Sequence, residues 1–525
     1  MTRRNLEFNR STERKKDVER KIQHPAPRAW ITFIVFLLMA VSLGIFRQLG
    51  NVDEIWNYNF GSNMASGLVP YRDFNLLQTP LFAAIHGLAL LLFGEQLLVT
   101  RMFGALLFAG ICQILYLAGA RLGAKGILRW ILPVTFLLLF KYNVFFEYSC
   151  LILFCLLCCL YIDMGEVMRI GDGQETTVHY ERWYIQLAVG VLGGVAVMSK
   201  QTFGGFVALA SWISVIWVSR MRRDSGKETL RLLFFRLLGS SIPCFLVLFY
   251  LLGTGSWDDF LEMSVFGIST FSSSLNFIEY VTENAEYAVH GAVCIFVLVY
   301  AVVYVIGMRR ETIGRAGGLI LLYGGLGCIN LYPLCNTYHL NTCLIPFLLL
   351  LIPTAAWLMK WIVPRLAAIG VVAAASFYIF ICYPADCLQN SVLLTDVPHF
   401  WGIFKDKDEV EEYRTVLSAV SGWLEEGREV YILDNRASFY LVPSDRYHKY
   451  MDMFLVGNLG LKTPEECLQD TREKNEDAIY LVPEDMDDQY QYPQEAVEGF
   501  VEDYLEETDR VGEFICYETA AASEE

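Results

Sequence analysis

The sequence predicts a polytopic α-helical membrane protein that ends in a separate acidic α/β domain. Of its 525 residues, 54% are hydrophobic and 19% are charged, which is more apolar than an average soluble domain. Apolar segments close to the roughly 20 residues that cross a bilayer recur through residues 29–383. After them the composition changes, and acidic residues dominate the rest of the chain.

The charge distribution separates the two parts. Residues 384–525, called the C-terminal domain below, hold 34 acids and 11 bases, whereas the rest of the chain holds 23 acids and 30 bases. An acidic, mixed-polarity stretch of this kind is typical of a soluble domain, and a basic excess is typical of membrane loops. Nothing in this balance favours nucleic-acid binding.

Basic residues predict the orientation. Residues 1–28 are rich in Arg and Lys, so the positive-inside rule places them in the cytoplasm. About eleven spans are then expected, which puts the C-terminal domain outside the cytoplasm. They cover 29–47, 99–119, 130–146, 148–163, 185–199, 204–219, 237–252, 289–307, 317–333, 342–358 and 366–383.

Segment 80–94 is predicted to lie at the outer membrane surface and not to cross it. It is apolar for only about 15 residues and begins at Pro80, which suits an interfacial helix. If it crossed, the basic clusters of every later loop, such as residues 220–223, would face outward, against the positive-inside rule. Residues 48–98, the first loop, are therefore expected to contain interfacial helices.

Alternating helices and strands predict a small α/β fold for the C-terminal domain. Helices are expected over 407–426, 464–474 and 494–507, and strands over 428–433, 478–482 and 511–517. The domain lacks a glycine-rich phosphate loop. Two of its three cysteines, Cys387, Cys467 and Cys516, could pair, and spacing leaves that open.

Asp53 and Glu54 are the strongest candidates for chemistry. They follow the first predicted span by a few residues, at the depth of lipid headgroups, where acids are costly to desolvate. A carboxylate there could take a proton from an attacking hydroxyl, as a general base does. Glu54 could orient Asp53 or bind an acceptor, and a solvated loop is the alternative explanation for both.

Further candidates are polar residues predicted at the same surface. Cations are scarce on the outer side, so each could neutralise a phosphate, although snorkelling to headgroups is an alternative. Asp73 could bind sugar hydroxyls or pair with a neighbouring arginine. The substrate-binding candidates are Tyr71, Arg72, Asp73, Arg101, Lys200, Gln201 and His339.

Five short motifs follow one another in and after the first loop. They are Asp53-Glu54, Pro70-Tyr71-Arg72-Asp73, Thr79-Pro80-Leu81, Phe93-Gly94 and Arg101. In this placement they resemble the GT-C-fold glycosyltransferases that use polyprenyl-phosphate sugars, a superfamily that includes protein O-mannosyltransferases and lipid A aminoarabinose transferases.

The resemblance implies an inverting transfer of a sugar from a polyprenyl-phosphate carrier to an acceptor on the outer face of the membrane. The mixed cysteine content and the lack of eukaryotic retention signals favour a bacterial plasma membrane. The resemblance also implies that Asp53 is catalytic with Glu54 beside it, and that Lys200 and Arg101 contact the lipid phosphate. The acceptor could be a glycan, a lipid or a protein. No cofactor is expected to be required, because no further metal-ligand cluster accompanies the acidic pair. The alternative is a divalent metal, which some GT-C enzymes bind through an acidic pair.

Two departures narrow the resemblance. Lipid A aminoarabinose transferases carry Lys-Pro-Pro-Leu where this chain has Gln78-Thr79-Pro80-Leu81, and the chain lacks the β-trefoil-like insertion of protein O-mannosyltransferases.

Two other interpretations of the protein's function stay open. One is a transporter or flippase of lipid-linked glycan, which the lack of related halves and of a chain of buried acids disfavours. The other is a non-catalytic membrane protein with a ligand-binding C-terminal domain.

Overall fold

The structure is a computed structural model that describes residues 29–143, 146–171, 180–267, 277–308, 311–332, 334–486 and 491–520. The predicted cytoplasmic segment 1–28 lies outside the described residues.

Helices make up most of the chain up to residue 390. They are α1 Ala29–Ile45, α2 Val52–Ala65, α3 Leu81–Phe93, α4 Leu97–Arg121, α5 Leu128–Leu139, α6 Tyr148–Gly171, α7 Trp183–Val197, α8 Gln201–Arg222, α9 Gly226–Thr254, α10 Trp257–Phe260, α11 Phe277–Glu283, α12 Ala285–Gly307, α13 Thr312–Gly327, α14 Thr337–Leu348, α15 Leu351–Leu358, α16 Ile362–Phe377 and α17 Tyr383–Asn390. A 3-10 turn, Cys328–Leu331, extends α13, and a π-helical turn, Tyr378–Cys382, joins α16 to α17.

The polytopic class predicted from the sequence is confirmed. Among the described residues, seven helices are long and apolar enough to cross a membrane, and the bent pair α14 and α15 makes an eighth candidate. The shorter apolar helices α1, α5 and α7 fall on three further predicted spans. Each predicted span therefore coincides with a helix or a helix pair, and the segment predicted as interfacial coincides with α3.

Proline accounts for the bend between α14 and α15. Helices α14 and α15 meet at 59°, and Pro346 and Pro353 flank the break. A proline lacks the N–H that would continue the helical ladder and clashes with the preceding turn.

Glycine brings α7 and α9 into backbone contact. A Cβ placed on Gly190 would lie 2.1 Å from the carbonyl oxygen of Arg236, and one placed on Gly239 would lie 2.1 Å from that of Leu187. Such close approach is typical of membrane helices, which associate mainly by van der Waals packing.

A buried ion pair, which the sequence analysis missed, links α9 to α6 beside this contact. Asp163 of α6 and Arg236 of α9 are fully buried, and both Asp163 oxygens accept a bond from the guanidinium at 3.0 Å. Tyr323 also donates to Asp163, at 2.6 Å. Because the charges are matched and hydrogen-bonded, the pair fastens three helices together and offers no open site.

The C-terminal domain alternates strands and helices. Its elements are β1 Ser391–Leu394, β2 Ile403–Asp406, α18 Val410–Glu425, β3 Val430–Ile432, α19 Ser438–Leu441, α20 Pro464–Lys474, β4 Ile479–Pro483, α21 Gln494–Tyr504, β5 Leu505–Val511 and β6 Phe514–Thr519. Four of the strands form a sheet in the order β3-β4-β6-β5. Strand β3 runs parallel to β4, and the other two pairings are antiparallel.

The predicted α/β character of this domain is confirmed, with one correction. The helix expected over 494–507 ends at Tyr504, and the chain continues as β5, which pairs with β6. The exposed charges of β5 hid its strand character, because only its end residues Leu505 and Val511 are buried. Cys387, Cys467 and Cys516, which the sequence left open as a pair, form no disulfide.

Candidate active site

Helix α2 places the two adjacent acids in different surroundings. The side chain of Asn51 accepts a bond from the backbone N–H of Glu54 at 3.1 Å, which caps the helix and sets its start. The acids therefore lie in the first turn, where the helix dipole stabilises negative charge. Successive helical residues point about 100° apart. Accordingly, Asp53 is exposed and Glu54 is buried.

Asp53 faces a recess in which protein surrounds the carboxyl group although water still reaches it. Burial raises the pKa of Asp53, and the positive charges of Arg47 and Lys200 offset only part of that effect. Arg47 is fixed by the carbonyl oxygen of Tyr142, 2.9 Å from Nη2. An accessible carboxylate with a raised pKa is suited to accept a proton.

Arg101 lies below this recess and is fully occupied. It is 1% exposed, and besides Glu54 its donors contact the carbonyl oxygens of Gly44, Arg47 and Gln48 at 3.3, 2.6 and 3.3 Å. With the two bonds to Glu54, all its N–H groups are used. Arg101 therefore has no donor left for a lipid phosphate, the role that the resemblance implied.

Lys200 is the cation that borders the recess. It directly precedes α8, and its Nζ lies 3.5 Å from Oδ1 of Asn330 and 5.2 Å from the centre of the Tyr148 ring. Burial lowers the pKa of Lys200, whereas the charges of Glu147 and Asp53 raise it. Both contacts are long, so the ammonium group can turn toward an incoming anion.

Glu147 is a second carboxyl group at the site, and the sequence analysis missed it. It directly precedes α6, and its Oε2 accepts from the backbone N–H groups of Ser149 and Cys150 at 2.7 and 3.2 Å and from the Tyr338 hydroxyl. Burial raises the pKa of Glu147 to about 7, against the opposing effects of Tyr338 and Lys200. The signal was present in the sequence, because Glu147, like Asp53, is an acid at the outer end of a predicted span.

His339 and Asn330 complete the surroundings of Lys200. Asn336 caps α14 by accepting from the backbone N–H of His339 at 2.9 Å, and the same oxygen lies 2.9 Å from His339 Nδ1. His339 is close enough to Lys200 for their charges to interact. Asn330 is 1% exposed, and its Nδ2 has no partner among the described residues, so it can donate to a bound ligand.

Tyr71, Arg72 and Asp73 form a turn that is held by bonds within it and by bonds to Gln78 and Thr254. The Tyr71 backbone has a φ of 72°, and its hydroxyl donates to the carbonyl oxygen of Gln78 at 2.6 Å. Arg72 binds Asp73 through two bonds of 2.8 Å and donates to the carbonyl oxygen of Thr254 at 3.2 Å. Of the two roles considered for Asp73, the turn shows pairing with a neighbouring arginine, here Arg72.

Gln201 ties α8 to the first loop. Its Nε2 donates to the carbonyl oxygens of Leu77 and Ser264 at 3.2 and 3.1 Å. Nearby, Thr79 donates to the carbonyl oxygen of Val197 at 2.9 Å. These bonds hold the start of α8, and therefore Lys200, beside the loop that carries Asp53.

The structure thus brings together three of the predicted site residues, Asp53, Lys200 and His339, and adds Glu147. In these surroundings a base, a cation and hydrogen-bond donors converge where α2, α6, α8 and α14 begin. Within the described ranges, no group of three or more His, Cys, Asp or Glu side chains is placed to hold a metal ion.

Comparison with known proteins places the fold. No family model and no curated protein matches the sequence. The structure is similar to that of ArnT from Cupriavidus metallidurans bound to undecaprenyl phosphate, with a TM-score of 0.56 and 12% identity over 95% of this chain and 99% of ArnT. It is also similar to the archaeal oligosaccharyltransferase AglB from Archaeoglobus fulgidus in complex with an inhibitory peptide and a dolichol-phosphate, with a TM-score of 0.49 and 10% identity over 87% and 69% of the two chains.

The likeness to ArnT runs through nearly the whole of both chains, so this protein has the same fold. The GT-C fold predicted from the sequence is confirmed, and the chain is a multi-pass membrane protein.

Proposed function

We propose that this protein transfers a sugar, with inversion, from a polyprenyl-phosphate carrier to an acceptor hydroxyl on the outer face of a bacterial plasma membrane. The observation that carries the proposal is the placement of Asp53 within electrostatic range of Lys200, in a recess of a GT-C fold. The fold is shared with ArnT, whose structure contains undecaprenyl phosphate.

The chemical step needs only a base and a cation. The acceptor oxygen attacks the anomeric carbon, forming a new C–O bond as the bond to the phosphate oxygen breaks. The acceptor proton passes to Asp53, and the polyprenyl phosphate leaves with one additional negative charge. Lys200 stabilises that charge, which is largest in the transition state and product. Among the described residues, Lys200 borders the recess with only long side-chain contacts, and one such cation suits a monophosphate carrier better than a diphosphate.

An uncovered apolar face of α8 supports a lipid-linked donor. Below Lys200, its exposed apolar residues recur at spacings of three and four, which puts them on one face of the helix. They extend over about 16 Å of helix, at 1.5 Å per residue. They are Phe206, Leu209, Ile213 and Trp217. An isoprenoid chain lying along this face would bring its phosphate to Lys200.

Glu147 and Asn330 support Lys200 in this scheme. Glu147 is fixed by the start of α6 and by Tyr338, so its charge attracts the lysine from a rigid position. Asn330 contacts Nζ through its oxygen and keeps its amide N–H groups for the donor. His339 lies on the same side and can donate to a phosphate or sugar oxygen.

The test is carrier release by the purified full-length protein. Polyprenyl-phosphate sugars, including mannosyl, glucosyl and aminoarabinosyl donors, are incubated with the protein and a panel of acceptors, and free polyprenyl phosphate is measured. We expect release with at least one donor. Asp53→Asn should lower kcat by ~10²–10⁴, the usual contribution of a general base. The matched control is Asp408→Asn, an exposed acid of the C-terminal domain.

Three outcomes would contradict the proposal. Near-normal turnover by Asp53→Asn would remove Asp53 from the chemistry. Movement of an intact donor across a vesicle membrane, without carrier release, would favour transport. A protein that neither releases carrier nor moves donor with any member of the panel would overturn the assigned function.

A further inference from the structure

The C-terminal domain holds the middle of α2, the helix that carries Asp53. Trp56 Nε1 donates to the carbonyl oxygen of Asn435 at 3.1 Å, and Asn59 Nδ2 donates to Asp452 Oδ2 at 3.2 Å. Tyr58 forms a third contact, since its hydroxyl lies 2.7 Å from Nδ1 of His399 in the C-terminal domain. Sequence separations above 340 residues show that these contacts join distant parts of the chain.

These contacts hold α2 from two sides. At about 100° per residue, Trp56 and Asn59 lie on one side of the helix and Tyr58 on another, and Asp53 with Asn57 occupies the sector between. The helix cannot rotate about its axis without breaking at least one contact. The direction in which Asp53 points is therefore set by the domain that holds the next turns.

His399 is the point where the Tyr58 contact is anchored. Its Nδ1 bonds the Tyr58 hydroxyl at 2.7 Å, its Nε2 bonds Asp445 Oδ1 at 2.8 Å, and its carbonyl oxygen accepts from the backbone N–H of Leu97 at 2.8 Å. His399 thus joins α2, the start of α4 and the C-terminal domain. It is 7% exposed, and Tyr58 is completely buried.

Backbone geometry indicates that this arrangement is maintained at some cost. His399 and Asp445 have φ angles of 64° and 51°, in the left-handed region that non-glycine residues seldom adopt. Such conformations are unfavourable for residues with a side chain and persist where surrounding contacts enforce them. Here the enforcing contacts are those that reach α2 and α4.

We infer that His399 is a positioning residue for the transfer reaction, acting through Tyr58 to fix the rotation of α2 and the direction of the Asp53 carboxylate. The inference rests on the proposed function. It makes the C-terminal domain part of the catalytic unit, because the domain aligns the base for the acceptor hydroxyl. A misplacement of about 1 Å costs an enzyme ~100-fold in rate, so a small change at His399 is expected to be measurable.

Three variants at one position separate the contact from backbone strain. His399→Gly relieves the positive φ but removes the side chain, and His399→Ala keeps the strain without the contact. His399→Asn tolerates a positive φ and places an amide where Nδ1 was, which keeps the bond to Tyr58. We expect His399→Gly and His399→Ala to lower kcat at least ~10-fold with donor KM changed less than ~2-fold, and His399→Asn to recover most of kcat.

Tyr58→Phe provides a second approach, because it keeps the ring and removes only the hydroxyl. It should lower kcat as His399→Gly does, with the melting temperature recorded to show that the protein stays folded. Arg510→Gln is the control, since Arg510 is exposed in the same domain and its side chain forms ion pairs with Glu484 and Glu507. Its kcat should match that of the wild type.

The inference is overturned if the wild type is active and His399→Gly keeps the wild-type kcat. A His399→Asn variant as slow as His399→Gly, or a loss expressed only in KM, would overturn it as well. Absence of carrier release by the wild type itself would instead refute the proposed function, so the two failures are distinguishable.

Discussion

Glu54 and Arg101 form a two-point ion pair beneath the candidate site, with Glu54 Oε2 2.7 Å from Nη2 and Oε1 3.1 Å from Nε. The side chains are 2% and 1% exposed. The pair joins the start of α2 to α4, and the remaining arginine donors hold the end of α1. The two adjacent acids therefore have different roles, since Glu54 fixes the helix and leaves Asp53 accessible.

The first prediction concerns stability. Glu54→Gln should lower the free energy of unfolding by about 3–5 kcal/mol, because it leaves the positive charge of Arg101 buried without a negative counter-charge. Asp53→Asn should leave stability unchanged or raise it, because the neutral amide relieves a desolvated charge. Thermal unfolding in detergent, monitored by intrinsic fluorescence, checks both. A Glu54→Gln protein with wild-type melting but no activity would assign Glu54 to the chemistry.

The second prediction concerns donor binding by Lys200. Lys200→Gln should weaken binding of polyprenyl phosphate by about 10- to 150-fold, the equivalent of a charged hydrogen bond worth ~1.5–3 kcal/mol. Lys141→Gln is the matched control, since Lys141 is another cation near that surface and contacts the Tyr378 hydroxyl at 2.8 Å. Competition with a fluorescent polyprenyl phosphate measures both affinities. Equal losses in the two variants would indicate a general charge effect and not a phosphate site.

Much of the fold could be predicted from the sequence, because a bilayer imposes simple rules. Apolar segment length predicted the positions of the helices that could cross a membrane. That α3 lies at the surface stays a prediction from its length and from the charges of the later loops. The strand β5 was missed because all but its end residues are exposed and charged, so its pattern resembles the end of an amphipathic helix. Only pairing with β6 shows what it is.

The candidate site was less predictable, because side-chain direction depends on three-dimensional neighbours. Asp53 was found from its distance to the first span, and Lys200 from the scarcity of outward cations. Arg101 has the same sequence features as Lys200, yet it points at Glu54 and backbone carbonyls. Sequence spacing could not show which of the two faces the recess. Glu147 was missed because the predicted turn that holds it, between the spans 130–146 and 148–163, is very short.

The third prediction concerns Asp452, at the contact between the C-terminal domain and α2. Burial raises the pKa of Asp452 to about 8, against the opposing effects of His448 and Asn59. The folded state therefore binds a proton that the unfolded state releases near pH 4. Stabilisation from this proton is complete below about pH 4 and is lost as pH rises toward 8.

Asp452→Asn should remove that pH dependence, because the amide cannot ionise. Its melting temperature should vary less than that of the wild type between pH 4 and 8 and exceed it above pH 8. The amide oxygen can still accept from the His448 backbone N–H, which binds Oδ1 at 3.0 Å. If the melting temperatures of the two proteins changed in the same way with pH across this range, Asp452 would be ionised in the folded state throughout it, and the prediction would be wrong.

The fourth prediction concerns the pH dependence of turnover. Glu147 has a pKa raised by burial to about 7, and its ionised form accepts three hydrogen bonds and attracts Lys200. Protonation below pH 7 weakens that attraction and the cap of α6. We therefore expect kcat to fall as pH drops through about 7, and Glu147→Gln to be slower at pH 8 and to lack this transition.

The experiment compares kcat from pH 5.5 to 9, with Glu411→Gln, which changes an exposed acid of α18, as the control. A transition near pH 7 that persists in Glu147→Gln would assign the titration to another group, with Asp53 the next to test, since its pKa is also raised.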